Sequence, residues 1–209
     1  MMNFLIADDH AIVRKGLIQV IHEEFSDAEI TEAANGLGVL EIVQQKIWDC
    51  ILIDISMPGR NGLELLKQIR DFGIKAPVLV ISMHQEEQYA IRVLKAGASG
   101  FLNKDTAMED LINAIHKVLS GKKYISASLA EKLATGFDAQ ITKPANELLS
   151  DREMQVLQLL ATGKTVGTIA DEIALSVNTI STYRARILEK LGLSNNAELM
   201  RYAIDNNIV

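Results

Sequence analysis

The sequence predicts an α/β domain with a doubly wound parallel sheet, followed by a small all-helical domain. Three observations support this division. Up to about residue 120, short apolar runs alternate with amphipathic segments of helical length. Residues 121–147 form a polar stretch without a steady period, and from Leu148 onward the chain contains only helical patterns. Because alternating short runs indicate strands and helices whereas a 3.6-residue period indicates helices alone, the two halves are built differently.

In the first half, five predicted strands alternate with five predicted helices. This alternation indicates βαβ units with right-handed crossovers. For five such units the commonest solution is a (βα)5 flavodoxin-like sheet with helices on both faces. The predicted strands are Asn3–Ala7, Glu29–Ala34, Cys50–Asp54, Pro77–Ser82 and Gly100–Leu102. The predicted helices are 11–24, 36–46, 61–71, 86–96 and 106–119.

The second half has the pattern of a helix-turn-helix domain. Ser150 and Glu153 have the spacing of a capping box, and Gly163 is placed to end the helix that follows. Three further helical segments come next, with a tight turn between the first two. These segments are 166–174, 177–191 and 195–204. The predicted boundaries are 1–120 for the α/β domain, 121–147 for a linker and 148–209 for the helix-turn-helix domain.

Composition and charge exclude several classes of protein. The longest apolar runs are far shorter than the roughly 20 residues of a membrane helix, and "MMNFLIADDH" lacks the basic region of a signal peptide. We therefore predict a cytoplasmic protein without a membrane partner. The single cysteine, Cys50, excludes an intramolecular disulfide and a cysteine-based metal site. The net charge is −6, and residues 146–209 carry 6 basic and 8 acidic side chains, so DNA binding must use a local patch.

Acidic and cationic side chains follow the ends of several predicted strands. Asp8 and Asp9 end the first strand, and Asp54 ends the third. Ser82 ends the fourth strand, and Lys104 follows the fifth. Although Asp9 alone fits helix capping equally well, three carboxylates at one sheet edge repel one another unless a hard cation such as Mg²⁺ neutralises them. With a lysine and a hydroxyl nearby they suit phosphoryl transfer, in which a carboxylate can be the nucleophile.

Four stretches of the first half resemble the signature stretches of response-regulator receiver domains. They occur in the expected order over residues 1–120: "IADDH" (6–10), "DISMPGRNG" (54–62), "VISMH" (80–84) and "GASGFLNKD" (97–105). The resemblance implies that Asp54 is the phosphoacceptor and that the cofactor is Mg²⁺ or Mn²⁺. It also implies a metal site that includes Asp54 and in which Asp9 binds the ion directly. Asp8 would bind mostly through water, and the Ser56 backbone carbonyl would complete the set.

The same resemblance implies roles for other residues around the acceptor. Ser82 and Lys104 would bind the phosphoryl oxygens. Phe101 would be the switch aromatic, which turns inward when Ser82 moves toward the phosphate. Ser56 and His84 would border the path of the hydrolytic water, so that His84 modulates the lifetime of the phosphorylated state. An exposed loop histidine without that role is the alternative interpretation of His84.

The helical half resembles the LuxR-type helix-turn-helix that ends response regulators of the NarL/FixJ class. The matched features are "SDRE", "ATGKT", "IA", "LSxxTI" and "KL" within residues 148–205. A recognition helix over 177–191 would place polar side chains against base edges and cations against phosphates. The predicted DNA-binding residues are Asn178, Ser181, Thr182, Arg184, Ala185, Arg186 and Lys190 on that helix, and Thr165 at the start of the preceding helix.

The helical half departs from the family pattern at two places. The second helix begins with Thr165-Val166-Gly167-Thr168 instead of a polar run that contains Asn, and Ser181 replaces a common Lys. Each lost phosphate contact lowers the salt dependence of DNA binding by roughly one unit of slope. We therefore expect a modest intrinsic affinity for DNA and a need for dimerisation. A helical protein–protein adaptor is the alternative for this half.

Together the two resemblances imply a DNA-binding response regulator of a two-component system that is not a turnover enzyme. A sensor histidine kinase would phosphorylate Asp54, and the altered receiver would control homodimerisation and binding to double-stranded DNA. RNA polymerase is a further candidate partner. The alternatives are an orphan regulator, an aspartate-nucleophile phosphatase and a nucleotide-binding domain. The intact set of site residues argues against an orphan regulator. Ser56 stands where an aspartate-nucleophile phosphatase has a second Asp, which argues against a phosphatase. The sequence also lacks a glycine-rich nucleotide motif, which argues against a nucleotide-binding domain.

Overall fold

The computed structural model describes residues 1–57, 62–83, 86–135, 148–206 and 208–209. The chain folds into two compact units, Met1–Phe137 and Asp138–Val209. His84 and part of the predicted linker lie outside the described residues. No helix in the described ranges has both the length and the hydrophobicity needed to cross a membrane.

The first unit contains a parallel five-stranded sheet whose strands alternate with helices along the chain. The strands are β1 (Asn3–Ala7), β2 (Glu29–Ala33), β3 (Cys50–Asp54), β4 (Val78–Ser82) and β5 (Gly100–Asn103). The helices between and after them are α1 (Ala11–Glu24), α2 (Gly36–Ile42), α3 (Gly62–Asp71), α4 (Glu86–Lys95) and α5 (Ala107–Leu119). The strand order β2-β1-β3-β4-β5 confirms the predicted flavodoxin-like fold class.

The central strands are continuous apolar runs because helices cover both faces of the sheet. Every residue of β3 and β4 is buried, and burial raises the pKa of the Cys50 thiol to about 12. Cys50 is therefore a core residue and not a reactive thiol. The register pairs Ala7 with Ile53 and Asp54 with Ile81, so β1, β3 and β4 end at one edge of the sheet. Strand order reverses between β1 and β3, which is where such sheets hold ligands.

Helix α2 ends earlier than its sequence pattern indicates. The predicted helix extends to residue 46, whereas α2 ends at Ile42 with Val43 as its C-cap. The buried indole of Trp48 donates a hydrogen bond from Nε1 to the Val43 carbonyl oxygen at 2.9 Å. Because a side chain satisfies this carbonyl, the backbone does not need another helical turn to do so.

The chain continues along the open edge of β5 after α5 ends. Tyr124 forms a parallel bridge with Gly100. The Tyr124 N–H donates to the Ser99 carbonyl at 2.9 Å, and the Tyr124 carbonyl accepts from the Phe101 N–H at 3.2 Å. The Tyr124 residue is buried. The first residues of the predicted linker therefore extend the sheet by one short pairing.

A further helix, α6 (Ala127–Thr135), follows this pairing and is anchored to the first unit. The Ser126 N–H donates to Glu86 Oε1 at 2.9 Å, at the start of α4. Ser126 Oγ accepts a hydrogen bond from the Leu129 N–H at 3.0 Å, and Leu129 is buried. The predicted domain boundary at residue 120 stays a prediction, but the chain keeps contact with the sheet and α4 beyond it.

The described part of the second unit is helical. Its helices are α7 (Asp151–Ala161), α8 (Val166–Glu172), α9 (Val177–Leu191) and α10 (Asn196–Asp205). Ser150 and Glu153 form the predicted capping box at the start of α7. The side chains that cap α8, α9 and α10 are Thr165, Ser176 and Asn195. A turn of a few residues separates α8 from α9, as the helix-turn-helix pattern predicted.

One face of α9 packs into the core of the second unit. Ile180 and Ile187 are fully buried, whereas Tyr183 and Leu191 are half-buried. These four residues are the predicted apolar face of this helix. Helix α9 ends at Gly192, whose φ of 66° lies in the left-handed region that glycine adopts without strain. The opposite face of α9 is left at the surface.

Candidate functional site

The ends of four strands bring the predicted acidic site together. Asp8 and Asp54 are buried at the ends of β1 and β3, and Ser82 is buried at the end of β4. Lys104 follows β5, and its Nζ lies 2.7 Å from Asp8 Oδ2 and 2.7 Å from Asp54 Oδ2. One ammonium group therefore contacts two buried carboxylates that come from different strands.

Burial and ion pairing act on these groups in opposite directions. Burial raises the pKa of Asp54, and the hydrogen bond from Lys104 only partly offsets that rise. For Lys104, burial alone would lower the pKa, but the carboxylates of Asp54 and Asp8 outweigh it and raise the pKa. Lys104 therefore stays protonated. The contact with this cation favours the ionised form of the buried Asp54 carboxylate.

Asp8, Asp9, His10 and Asp54 form a cluster of potential metal ligands. One ligand atom of each residue lies within 4.8 Å of the others. Among the described residues, Asp8 Oδ2 and Asp9 Oδ1 are buried oxygens without a hydrogen bond of acceptable geometry. Each contacts a nitrogen that an ion could displace or share: Lys104 Nζ lies 2.7 Å from Asp8 Oδ2, and His10 Nδ1 lies 2.8 Å from Asp9 Oδ1. Such oxygens are available to a hard cation, and carboxylate oxygens are ligands that Mg²⁺ and Mn²⁺ take. The residues present therefore fit a divalent ion.

His10 is the residue of this cluster that the sequence interpretation missed. Its backbone N–H donates to Asp8 Oδ1 at 2.8 Å. Its ring Nδ1 lies 2.8 Å from Asp9 Oδ1 and 3.2 Å from Asp8 Oδ1. The available signal was its position directly after two acidic residues. A histidine at a helix start is nevertheless common, and only the folded chain shows the direction of its ring.

The backbone that follows β3 fixes the position of Asp54. Asp54 Oδ1 accepts a hydrogen bond from the Ser56 N–H at 3.0 Å, and the Gly62 N–H donates to the Ile55 carbonyl at 3.0 Å. A Cβ atom on Gly62 would lie 2.6 Å from the Asp54 carbonyl oxygen and 2.7 Å from Ile55 Cα. Only glycine allows α3 to begin this close to the end of the strand.

The other predicted residues of this site lie on β4 and β5 or beside them. Ser82 and Phe101 are both buried, and the Lys104 N–H donates to the Ser82 carbonyl at 2.8 Å. Phe101 pairs with Val80 in the register of β4 and β5. Ser56 is exposed. The tuning role of His84 stays a prediction because this residue lies outside the described ranges.

The predicted DNA-binding residues lie at or near the surface of the second unit. Arg184 Nε donates to Asn196 Oδ1 at 2.5 Å, and Lys190 Nζ lies 2.6 Å from Glu153 Oε2. Both cations are thus engaged inside the unit, and their phosphate contacts stay predictions. Thr165 Oγ1 accepts from the Thr168 N–H and caps α8. The exposed members of the set are Thr165, Asn178, Ser181, Thr182, Ala185, Arg186 and Lys190.

A buried carboxylate, a lysine in contact with it and a cluster of metal-type ligands occupy the switch point of a doubly wound sheet. This arrangement is typical of a phosphoryl-accepting site. The second unit has the succession of helices typical of a helix-turn-helix domain.

Comparison with known proteins agrees with both halves of the chain. Residues 4–116 match the family described as "Response regulator receiver domain", and residues 147–203 match "Bacterial regulatory proteins, luxR family". The response regulator GacA of Pseudomonas viridiflava is 32% identical over 210 residues, which covers 100% of this chain and 98% of GacA. The positive transcription regulator BvgA of Bordetella pertussis is 35% identical over 204 residues, which covers 98% of this chain and 97% of BvgA.

A solved structure that aligns with nearly the whole chain contains promoter DNA. RcsB from Salmonella enterica serovar Typhimurium, bound to promoter rprA in the presence of the phosphomimetic BeF3⁻, aligns with a TM-score of 0.67. It is 27% identical, and the alignment covers 96% of this chain and 97% of that one.

The chain therefore belongs to the response regulators of the NarL/FixJ class, with a receiver domain and a LuxR-type helix-turn-helix domain. It is a DNA-binding transcription regulator of a two-component system and not a turnover enzyme. The family and the function class predicted from the sequence are confirmed.

Proposed function

We propose that Asp54 accepts a phosphoryl group from a sensor histidine kinase. An Asp54 carboxylate oxygen attacks the phosphorus while the phosphorus–nitrogen bond to the kinase histidine breaks. The nitrogen leaves with the bonding electrons, and the phosphoryl group ends on Asp54. The observation that carries this proposal is the position of Asp54: a buried carboxylate at a strand end, 2.7 Å from the ammonium of Lys104.

The neighbouring side chains would handle the charge of the transferred group. Lys104 contacts Asp54 Oδ2 and would contact a phosphoryl oxygen after transfer. The Ser82 hydroxyl would donate a hydrogen bond to another of these oxygens. The carboxylates of Asp8, Asp9 and Asp54 and the Ser56 carbonyl would hold Mg²⁺ or Mn²⁺. Such an ion supplies positive charge to the phosphoryl oxygens.

The buried position of Phe101 supports a role in signal transmission. We infer that Ser82 moves toward the phosphoryl group and that Phe101 follows, because the two residues lie on adjacent strands. Phe101 also donates its backbone N–H to Tyr124, so a shift of β5 reaches the segment after α5 directly. The receiver at 1–120 would act through the linker at 121–147 on the helix-turn-helix domain at 148–209.

The exposed face of α9 supports the proposed mode of DNA binding. Asn178, Ser181 and Thr182 offer polar groups near the start of the helix, where recognition helices meet base edges. Arg186 offers an exposed cation for phosphate. Because the family binds paired half-sites as dimers, we propose a homodimer on double-stranded DNA in the cytoplasm, with RNA polymerase as a further candidate partner.

Phosphotransfer and DNA binding test this proposal together. The purified chain is incubated with Mg²⁺ and a kinase or acetyl phosphate, and the label on the protein is measured for wild type, Asp54→Ala and Asp71→Ala. Asp71 is an exposed carboxylate at the end of α3 and serves as the matched control. We expect label on wild type and Asp71→Ala only. Label on Asp54→Ala, or DNA occupancy across the genome that is the same with and without phosphorylation, would contradict the proposal.

A further inference from the structure

The imidazole of His10 lies close enough to the acidic cluster to share one ion with it. Its Nδ1 is 2.8 Å from Asp9 Oδ1, and the ligand atoms of the four clustered residues lie within 4.8 Å of one another. Two ligands of one octahedral ion with bonds of about 2.1 Å lie about 3 Å apart when adjacent and about 4 Å apart when opposite. The spacing of His10 and Asp9 therefore matches that of adjacent ligands.

The backbone holds the His10 ring at this place. His10 is the N-cap residue of α1, but its side chain makes no capping hydrogen bond. Its backbone N–H is instead bound to Asp8 Oδ1 at 2.8 Å, which fixes the residue beside the buried carboxylates. The ring is exposed to solvent over about two thirds of its surface (64%). The ring does not cap the helix, and its Nδ1 instead contacts carboxylate oxygens of Asp9 and Asp8 at 2.8 and 3.2 Å. This nitrogen is therefore placed to bind an ion that those carboxylates bind.

We propose that His10 is a nitrogen ligand of the divalent ion at this site and that it shifts the ion preference toward first-row transition metals. This inference rests on the proposed metal site. An all-oxygen set suits Mg²⁺, whereas an imidazole nitrogen adds affinity for Co²⁺ and similar ions and little for Mg²⁺. His10 thus determines which ion the site selects, while the carboxylates supply its charge.

Metal titration of the full-length chain tests this role without any phosphotransfer. Dissociation constants for Mg²⁺ and Co²⁺ are measured for wild type, His10→Asn and His22→Asn. His22 is an exposed histidine in the last turn of α1 and serves as the matched control. We expect His10→Asn to weaken Co²⁺ binding about tenfold and Mg²⁺ binding less than twofold, with both constants unchanged in His22→Asn.

Pulsed electron paramagnetic resonance of bound Mn²⁺ provides direct evidence of ligation. We expect a nitrogen-14 coupling in wild type and His22→Asn that is lost in His10→Asn. A coupling that is absent from wild type or persists in His10→Asn, or an equal loss of Co²⁺ and Mg²⁺ affinity, overturns the role of His10. A chain that binds no divalent ion overturns both this role and the proposed metal site, whereas the proposed phosphoacceptor is tested separately by the label on Asp54.

Discussion

Asp54 carries a charge at a place where the fold alone would favour a neutral group. Its side chain is 1% exposed, and its pKa is raised because burial outweighs the contact with Lys104. A carboxyl with a raised pKa in the folded state stabilises the fold when protonated. That stabilisation is fully present below the ordinary pKa of 3.8 and is lost as the pH rises through the folded-state value. At neutral pH the ionised group therefore lowers the stability of the fold, and it keeps the charge that the proposed phosphoacceptor role requires.

Replacement of this charge should stabilise the receiver. We expect Asp54→Asn to raise the free energy of unfolding of the first unit at pH 7 by about 1 kcal/mol in the absence of metal ions, because a buried charge is removed while Lys104 keeps Asp8. The gain should shrink as the pH falls through the folded-state pKa of Asp54. Denaturation followed by the fluorescence of Trp48, the single tryptophan, measures it. Asp71→Asn, an exposed carboxylate, should change little; a destabilised Asp54→Asn would refute the argument.

At Gly62, helix α3 begins close to the end of strand β3. We expect Gly62→Ala to destabilise the first unit by about 2 kcal/mol, because its Cβ would meet backbone atoms of residues 54 and 55 that are unable to move apart cheaply. The label on Asp54 should fall as well. Gly38→Ala in α2 is the matched control: its Cβ meets only ordinary contacts, at 3.6 Å or more, and it should be neutral or stabilising by up to about 1 kcal/mol. Equal effects of the two substitutions would rule out the close approach as the cause.

At the scale of elements, the start of α7 and the end of α9 are joined through one buried carboxylate. Glu153 completes the capping box with Ser150 and also contacts Lys190 at 2.6 Å. Burial alone would raise the pKa of Glu153, but the hydrogen bonds from Lys190 and Ser150 lower it below its usual value. Its contribution to stability is therefore fully present above about pH 4.5 and is lost as the pH falls through the lower, folded-state value.

The contacts of Glu153 with Ser150 and Lys190 should make the stability of the helical unit sensitive to acid. We expect Glu153→Gln to lower the free energy of unfolding of the second unit by about 1–2 kcal/mol at pH 7, because it removes the charged partner of Lys190 and weakens the cap. The difference from wild type should diminish below pH 4.5. Hydrogen exchange at the amides of α7 measures it, with Glu198→Gln at the start of α10 as a comparison at an exposed cap. A difference that is independent of pH would show that the charge is not responsible.

At the scale of the whole molecule, DNA binding should depend on few cations. Arg184 and Lys190 are engaged within the second unit, whereas Arg186 is exposed on α9, the proposed recognition helix. We expect Arg186→Ala to weaken binding to all DNA sequences alike and to reduce the salt-dependence slope by about 1. Lys95→Ala, an exposed cation of the receiver unit, should leave the slope unchanged. Titration at several salt concentrations measures both; loss of sequence preference without a change of slope would contradict a phosphate contact.

The parts of the molecule that could be predicted are those in which local pattern and burial coincide. The apolar runs of β3 and β4 identified the sheet because both of its faces are covered, and strand ends identified Asp8, Asp54, Ser82 and Lys104 as neighbours. Contacts that depend on the direction of a side chain could not be predicted from the sequence. Neither the hydrogen bond from Trp48 at the end of α2 nor the ring position of His10 produces a periodic pattern in the sequence.

Ion pairs between residues far apart along the chain could not be predicted from the sequence either. Lys190 has the helical position of a phosphate-binding residue, and its contact with Glu153 lies 37 residues away along the chain. The polar composition of residues 121–147 indicated a linker. It did not reveal that Tyr124 and Leu129 are buried.

The pairing of Tyr124 with β5 also bears on how the protein avoids aggregation through the edge of its sheet. β5 is the last strand of the sheet, and an uncovered last strand offers unpaired N–H and carbonyl groups on which a second chain can form sheet. Tyr124 forms hydrogen bonds with two of these groups, the Ser99 carbonyl and the Phe101 N–H. A fragment that stops at residue 120 would release them, and we expect it to aggregate in light-scattering measurements while a fragment that extends to residue 135 stays monomeric. The segment that leads out of the receiver therefore also covers the edge strand of its sheet.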